Sequence, residues 1–333
     1  MKTSLVQGTV TGLLAFLLLG FGGCGGGGGA NYAGGGIGGS GISVGAITAI
    51  GSIEVNGVNF DTSGATIFVS DENKGKGDQA VLSYLHVGKV VVVEGTVNED
   101  GITGSANHVY FDANVAGSVE TDAAAGEFWV LGQLVVCDSE TVLVGYASFD
   151  DVGAGDLVEV SGLVDSVGTI HATYVGRKPS LAEQEVKGVV RGLDRSTRAF
   201  KIRNLTVEYD DATDLPDGEP EEGQLVQVKG TLQSKGKLEA TRIQFAMETE
   251  AINADRMDIE GLVTDIISSS EFTVGDQQVV RTDAETQFKN GTPADIALGA
   301  KLEVKGRLEN GVLVARMITF AKKKELPRIR RPQ

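Results

Sequence analysis

Residues 88–95 read Gly88-Lys89-Val90-Val91-Val92-Val93-Glu94-Gly95, and the frame Gly-x₆-Gly returns as Gly155 to Gly162, Gly223 to Gly230 and Gly299 to Gly306. The third and fifth residues after the first glycine are always apolar: Val91 and Val93, Val158 and Val160, Val226 and Val228, Leu302 and Val304. Between them stand Val92, Glu159, Gln227 and Glu303. Period-two alternation of this kind marks a strand with one buried face. Four copies at identical internal spacing make the chain a tandem repeat.

A second landmark agrees. A glycine leading into an aliphatic residue occurs at Gly45, Gly117, Gly188 and Gly261, at spacings of 72, 71 and 73 residues. Each copy ends in Ala-x-x-(Ile/Val)-x-Phe, with Ala106, Val109 and Phe111 in the first, Ala240, Ile243 and Phe245 in the third, and Ala315, Ile318 and Phe320 in the fourth. The second copy keeps Ala172 and Val175 but has Arg177 in place of Phe. The apolar parity slips between the Ala and the Ile/Val, which predicts a β-bulge or strong coiling there. Two further strands per copy flank tight turns at Asn56-Gly57, Gly132, Arg203-Asn204 and Gly275-Asp276, as hairpins require.

Five strands in about 72 residues, with a short helical segment before the fourth, describe a small barrel of OB type. That segment is Asp78 to Leu85 in the first copy; in the fourth it is Thr292-Pro293-Ala294-Asp295-Ile296, with Thr as N-cap and Pro at the first helical position. The fold class is therefore all-β, four OB-like units in tandem: 45–115, 116–186, 187–258 and 259–321. A flat four-stranded sandwich unit is the alternative. Units this small bury only about 60% of their unfolded surface, so neighbours are expected to lean on one another.

The N-terminus reads as an address. After Lys2, the run Leu13 to Leu19 is too short to span a bilayer and suits a secretory core, making 1–23 a signal peptide. Phe21-Gly22-Gly23-Cys24 resembles a bacterial lipobox, with Cys24 the lipidated residue. Two or three acyl chains anchor stably where one does not. Residues 24–44 are then a flexible tether, since 25–44 hold 11 glycines in 20 residues. With Cys24 acylated, Cys137 is a lone thiol in the strand-like run Leu134 to Asp138, and it is read as core. Gly25 after the lipidated residue suits sorting to an outer membrane.

The 333-residue chain is 41% hydrophobic with formal charge −16. Its tail, 322–333, carries six basic residues and one Glu, so the rest is at −16 − 5 = −21. An acidic body with 6% aromatics is the wrong surface for single-stranded nucleic acid, which needs a basic groove with stacking rings. His86, His108 and His171 share no spacing and are assigned to barrel surfaces. The loop Asp71 to Asp78 lacks a Glu at the twelfth calcium position, where Leu82 stands. The denser candidate for calcium is Asp210, Asp211, Asp214 and Asp217; the competing reading of such acidic Pro/Gly loops is a solvated connection. Asp150-Asp151 are expected to point to opposite faces of a strand, which argues against a paired-acid hydrolase. No cofactor fingerprint occurs.

The stretches Gly57 to Thr66, Val130 to Gln133, Val158 to Gly162 and Gly168 to Thr173 resemble a bacterial lipoprotein family with tandem repeats, domain of unknown function 5666. The resemblance covers about residues 45–321 and implies the lipid anchor and the array, with no catalytic residues. The expectation is a non-enzymatic, lipid-anchored envelope protein serving as a binding or spacer module. Its partners would be the membrane, through the anchor, and an envelope polysaccharide or a protein. Oligosaccharide recognition on the OB-like faces is the alternative, ahead of nucleic acid or calcium-dependent adhesion.

Overall fold

A computed structural model describes residues 39–246, 253–275 and 277–321. The signal segment, Cys24, most of the tether and the basic tail lie outside the described residues. In chain order the first unit comprises β1 (Gly39–Ala49), β2 (Ile53–Val55), β3 (Val58–Asp61), β4 (Thr66–Val69), β5 (Glu72–Lys76), α1 (Gly77–Tyr84), β6 (Val90–Val97) and β7 (Thr103–Phe111). The second has β8 (Val115–Ser118), β9 (Glu127–Val130), β10 (Gln133–Val144), β11 (Leu157–Val164) and β12 (Ile170–Arg177). The third has β13 (Gln184–Val189), β14 (Arg191–Asp194), β15 (Ala199–Ile202), β16 (Leu205–Glu208), β17 (Leu225–Ser234) and β18 (Lys237–Phe245). The fourth has β19 (Ala254–Ile266), β20 (Glu271–Val274), β21 (Gln278–Arg281), β22 (Gln287–Lys289), β23 (Lys301–Glu309) and β24 (Val312–Phe320).

Strand pairing closes each unit into a five-stranded ring of one topology, the OB order 1-2-3-5-4-1. In the first unit β1 pairs β2, β2 pairs β3, β3 runs parallel to β7, β7 pairs β6, and β6 returns to β1. The fourth repeats this through β19, β20, β21, β24 and β23. The second closes through the bridge Val119–Val130, and the third has its first strand divided into β13 and β14. The expected short segments recur: α1 in the first unit, and single 3-10 turns at Phe149–Asp151 and Pro293–Asp295. Thr292 and Asp295 form the fourth unit's capping box, and Ser148 and Asp151 form its counterpart in the second.

The bulge occurs in all four units at the expected place. Register slips between Glu94 and Gly95, Ser161 and Gly162, Lys229 and Gly230, and Lys305 and Gly306. The strand opposite gains one residue between its Ala and its Ile or Val, so both side chains face the core. The second frame glycine is required by this approach: a Cβ there would lie 2.1 to 2.3 Å from a backbone oxygen in every unit. In the second and third units the extra residue is Thr, and its hydroxyl donates to the carbonyls of Ser161 (3.1 Å) and Lys229 (3.2 Å).

The units do not follow one another as beads. β1 runs parallel to β19, with Val44 opposite Ile259, which joins the first unit to the fourth. β8 pairs antiparallel with β13, joining the second to the third, and these two share one continuous apolar core. The tether boundary at residue 44 is therefore revised: β1 starts at Gly39, and Ile42 is buried in the fourth unit's core. Gly41, one of the glycines that suggested coil, serves the strand, because a Cβ there would stand 3.0 Å from the Arg256 carbonyl.

Candidate functional site

The alternation that marks the fourth barrel strand leaves its second face outside the barrel, and that face is buried in the third unit and partly covered in the others. Gln227 is 1% exposed; its Nε2 donates to Glu185 at 2.6 Å and to the Ala113 carbonyl at 3.4 Å. Glu159 forms an ion pair with Lys89 across the first and second units at 2.5 Å. The Lys89 ammonium sits 4.0 Å from the Phe111 ring centroid and donates to the Tyr84 carbonyl at 3.0 Å. At the joint of the first and fourth units, Arg256 and Asp258 form a buried pair at 2.6 Å, and Asn56 Nδ2 donates to the carbonyls of Val44 and Asp258.

Where these outer faces meet, they line a half-open cavity of about 320 Å³ with wall residues from all four units. The first supplies Val92 and Tyr110, the second Leu163, the third Lys187 and Leu225, and the fourth Met257, Ile259 and Glu260. Asp112, in the joint between the first two units, also faces it. A mostly apolar wall with few polar groups, at a volume of roughly 300–1,000 Å³, is the usual make-up of a small-molecule site.

Asp112 is the unusual group. Burial pushes its carboxyl up to about 6; Lys187 and Lys229 pull it down, and Asp71 and Glu185 push it up. No hydrogen bond to its oxygens occurs among the described residues. The folded chain thus holds this proton more tightly than the unfolded chain does. Its contribution is fully present below pH 3.8 and is lost as pH rises through about 6. Asp112→Asn should flatten that fall and raise stability at pH 7 by about 2 kcal/mol. Urea unfolding of both proteins at pH 4 and pH 7 checks this; parallel pH dependences would contradict it.

The other candidates are placed separately. Asp210 accepts from the Ala212 amide (2.8 Å), Asp211 pairs with Arg198 (2.6 Å), Asp214 pairs with Arg242, and Asp217 accepts from the Phe245 amide (2.8 Å). Each is held by its own partner, so the calcium grouping is not assembled, and no metal-holding group of three occurs among the described residues. His86 stacks on Tyr174, His108 lies 3.2 Å from Glu94, and His171 lies 3.2 Å from Asp165. Cys137 is buried in β10, and burial pushes its thiol up to about 12. Asp150 and Asp151 are not on a strand as expected; they lie in the 3-10 turn, where Asp151 accepts from the Ser148 amide at 2.8 Å. On the first barrel's exterior, Phe68 and Tyr110 stack at 5.0 Å, and the Tyr110 hydroxyl donates to Glu94 at 3.2 Å.

Sequence reading missed Asp112 and the cavity. The available signal was a lone acid in a joint, Asp112 to Ala116, too short to be a solvated linker.

The rings and their topology define a protein of four tandem OB-type β-barrels. The profile of the family described as domain of unknown function (DUF5666) matches residues 44–109, 116–176, 187–244 and 260–319, and the chain belongs to this family. Among curated proteins none matches. A solved structure, Drosophila Unr CSD456, aligns at 14% identity over 63% of this chain and 98% of its own, with a TM-score of 0.16.

Proposed function

We propose that this is a non-enzymatic binding protein of the bacterial cell envelope, anchored at the outer membrane through lipid on Cys24, with its ligand site in the central cavity. The observation that carries this reading is the cavity wall drawn from all four units. A spacer needs length, and linked barrels supply it without the pairing of β1 with β19. The anchor is supported by the Phe21-Gly22-Gly23-Cys24 motif and the glycines after it.

The test is a ligand screen by thermal shift on the chain from Gly35 to Gln333, a single compact unit. A small-molecule library and envelope oligosaccharides are compared on this chain and on Leu225→Trp, which fills the cavity from a 6% exposed position. Small-molecule shifts abolished by Leu225→Trp support the proposal. Oligosaccharide shifts that survive it would favour the alternative, recognition on a barrel exterior. No shift with any ligand would favour the spacer. Mass spectrometry of the full chain, with Cys24→Ser as control, tests the anchor.

A further inference from the structure

Resting on the reading of the cavity as a ligand site, we propose that its ligand is a compact apolar molecule carrying a protonated amine, with Asp112 as the counter-ion. The wall assigns the apolar part: Leu163, Leu225, Met257 and Ile259 offer no donors or acceptors from their side chains. The charge follows from an inventory of the wall and its surroundings. Glu260 is neutralised by Lys301 at 2.8 Å and accepts from the Ala46 amide at 3.3 Å. Lys187 is engaged in an interaction of its own. Around Asp112, Lys187 and Lys229 pull the carboxyl down, Asp71 and Glu185 push it up, and burial outweighs the two lysines. What remains is the Asp112 carboxylate, facing the cavity with no hydrogen-bond donor among the described residues.

A half-buried carboxylate with no hydrogen-bond donor is costly, and an ammonium that both neutralises it and donates to it removes that cost. A neutral apolar guest leaves the cost in place. A carboxylate guest adds a like charge in a poorly solvated space. The field of the whole chain, at −16, acts in the same sense by concentrating cations near the protein.

The experiment measures binding of three probes sharing one apolar cage, 1-adamantylamine, 1-adamantanol and 1-adamantanecarboxylate, to the chain 35–333 by titration calorimetry at pH 7.5. The expected result is amine binding at least tenfold tighter than the alcohol, with no carboxylate binding. Asp112→Asn should bring the amine to the level of the alcohol, and amine affinity of the unaltered chain should fall below about pH 6. Equal affinity for amine and alcohol, with both lost in Leu225→Trp, would overturn the charge assignment and leave the cavity standing as the site. Preference for the carboxylate would overturn it in favour of Lys187. Silence from all three probes would overturn both readings.

Discussion

Gly306→Ala should lower the unfolding free energy by about 3 kcal/mol, in the upper range for overpacking a tight site. The added Cβ would stand 2.1 Å from the Val314 carbonyl oxygen and 2.9 Å from its carbon. Both atoms belong to the bulged partner strand, so no side chain can rotate away. Relief requires opening the bulge, which turns Ala315 or Ile318, both 1% exposed or less, out of the core. Gly95, Gly162 and Gly230 occupy the same position, and the same substitution should be costly at each. Gly64→Ala is the control, because nothing lies within 4 Å of a Cβ there. Urea unfolding measures both, and a Gly306→Ala effect no larger than the control would refute the account of the bulge.

Lys89→Met should destabilise by about 3 kcal/mol through a different cause. The Met stem preserves the packing between Phe111 and Tyr174 but leaves Glu159 buried with only Lys178, 3.3 Å away and 36% exposed, as cation. Removing one partner of a buried pair typically costs 3–5 kcal/mol; the second lysine moderates it. Lys89→Met with Glu159→Leu should recover most of the loss, since an apolar pair of similar volume tolerates burial. Burial raises the Glu159 carboxyl, but Lys89 and Lys178 outweigh it and hold the group below its usual range. Its stabilisation is therefore present above pH 4.5 and lost as pH falls through the lowered value. The single variant should lose part of that acid sensitivity. Equal stability of single and double variants would show that Lys89 acts through packing alone.

The barrel was legible in the sequence because its constraints are local and fourfold. A parity slip between Ala315 and Ile318 has one inexpensive solution, and the glycine opposite it marks the place. Asn56-Gly57 predicts its own turn, with both residues at positive φ, 51° and 72°. The meeting of the units was not legible, because it is written on the strand face that alternation assigns to solvent. Glu159 and Gln227 look like surface residues until a neighbouring unit covers them. The same limit hid Asp112, whose environment comes from Asp71 of the first unit and from Glu185, Lys187 and Lys229 of the third. The aspartates at 210, 211, 214 and 217 show the converse. Density along the chain suggested a site, while turns and arginines had already engaged each carboxylate.

The first and fourth repeats close on each other, so that all four barrels line one cavity. Val44 and Ile259 are register partners on β1 and β19, more than two hundred residues apart in the chain. Cysteines at these two positions, in a chain whose native cysteines are replaced by Cys24→Ser and Cys137→Ala, test the pairing directly. An intramolecular disulfide is expected under mild oxidation, seen as faster migration on a non-reducing gel and reversed by dithiothreitol. Two free thiols after oxidation of the folded protein would contradict it and return the repeats to a linear array.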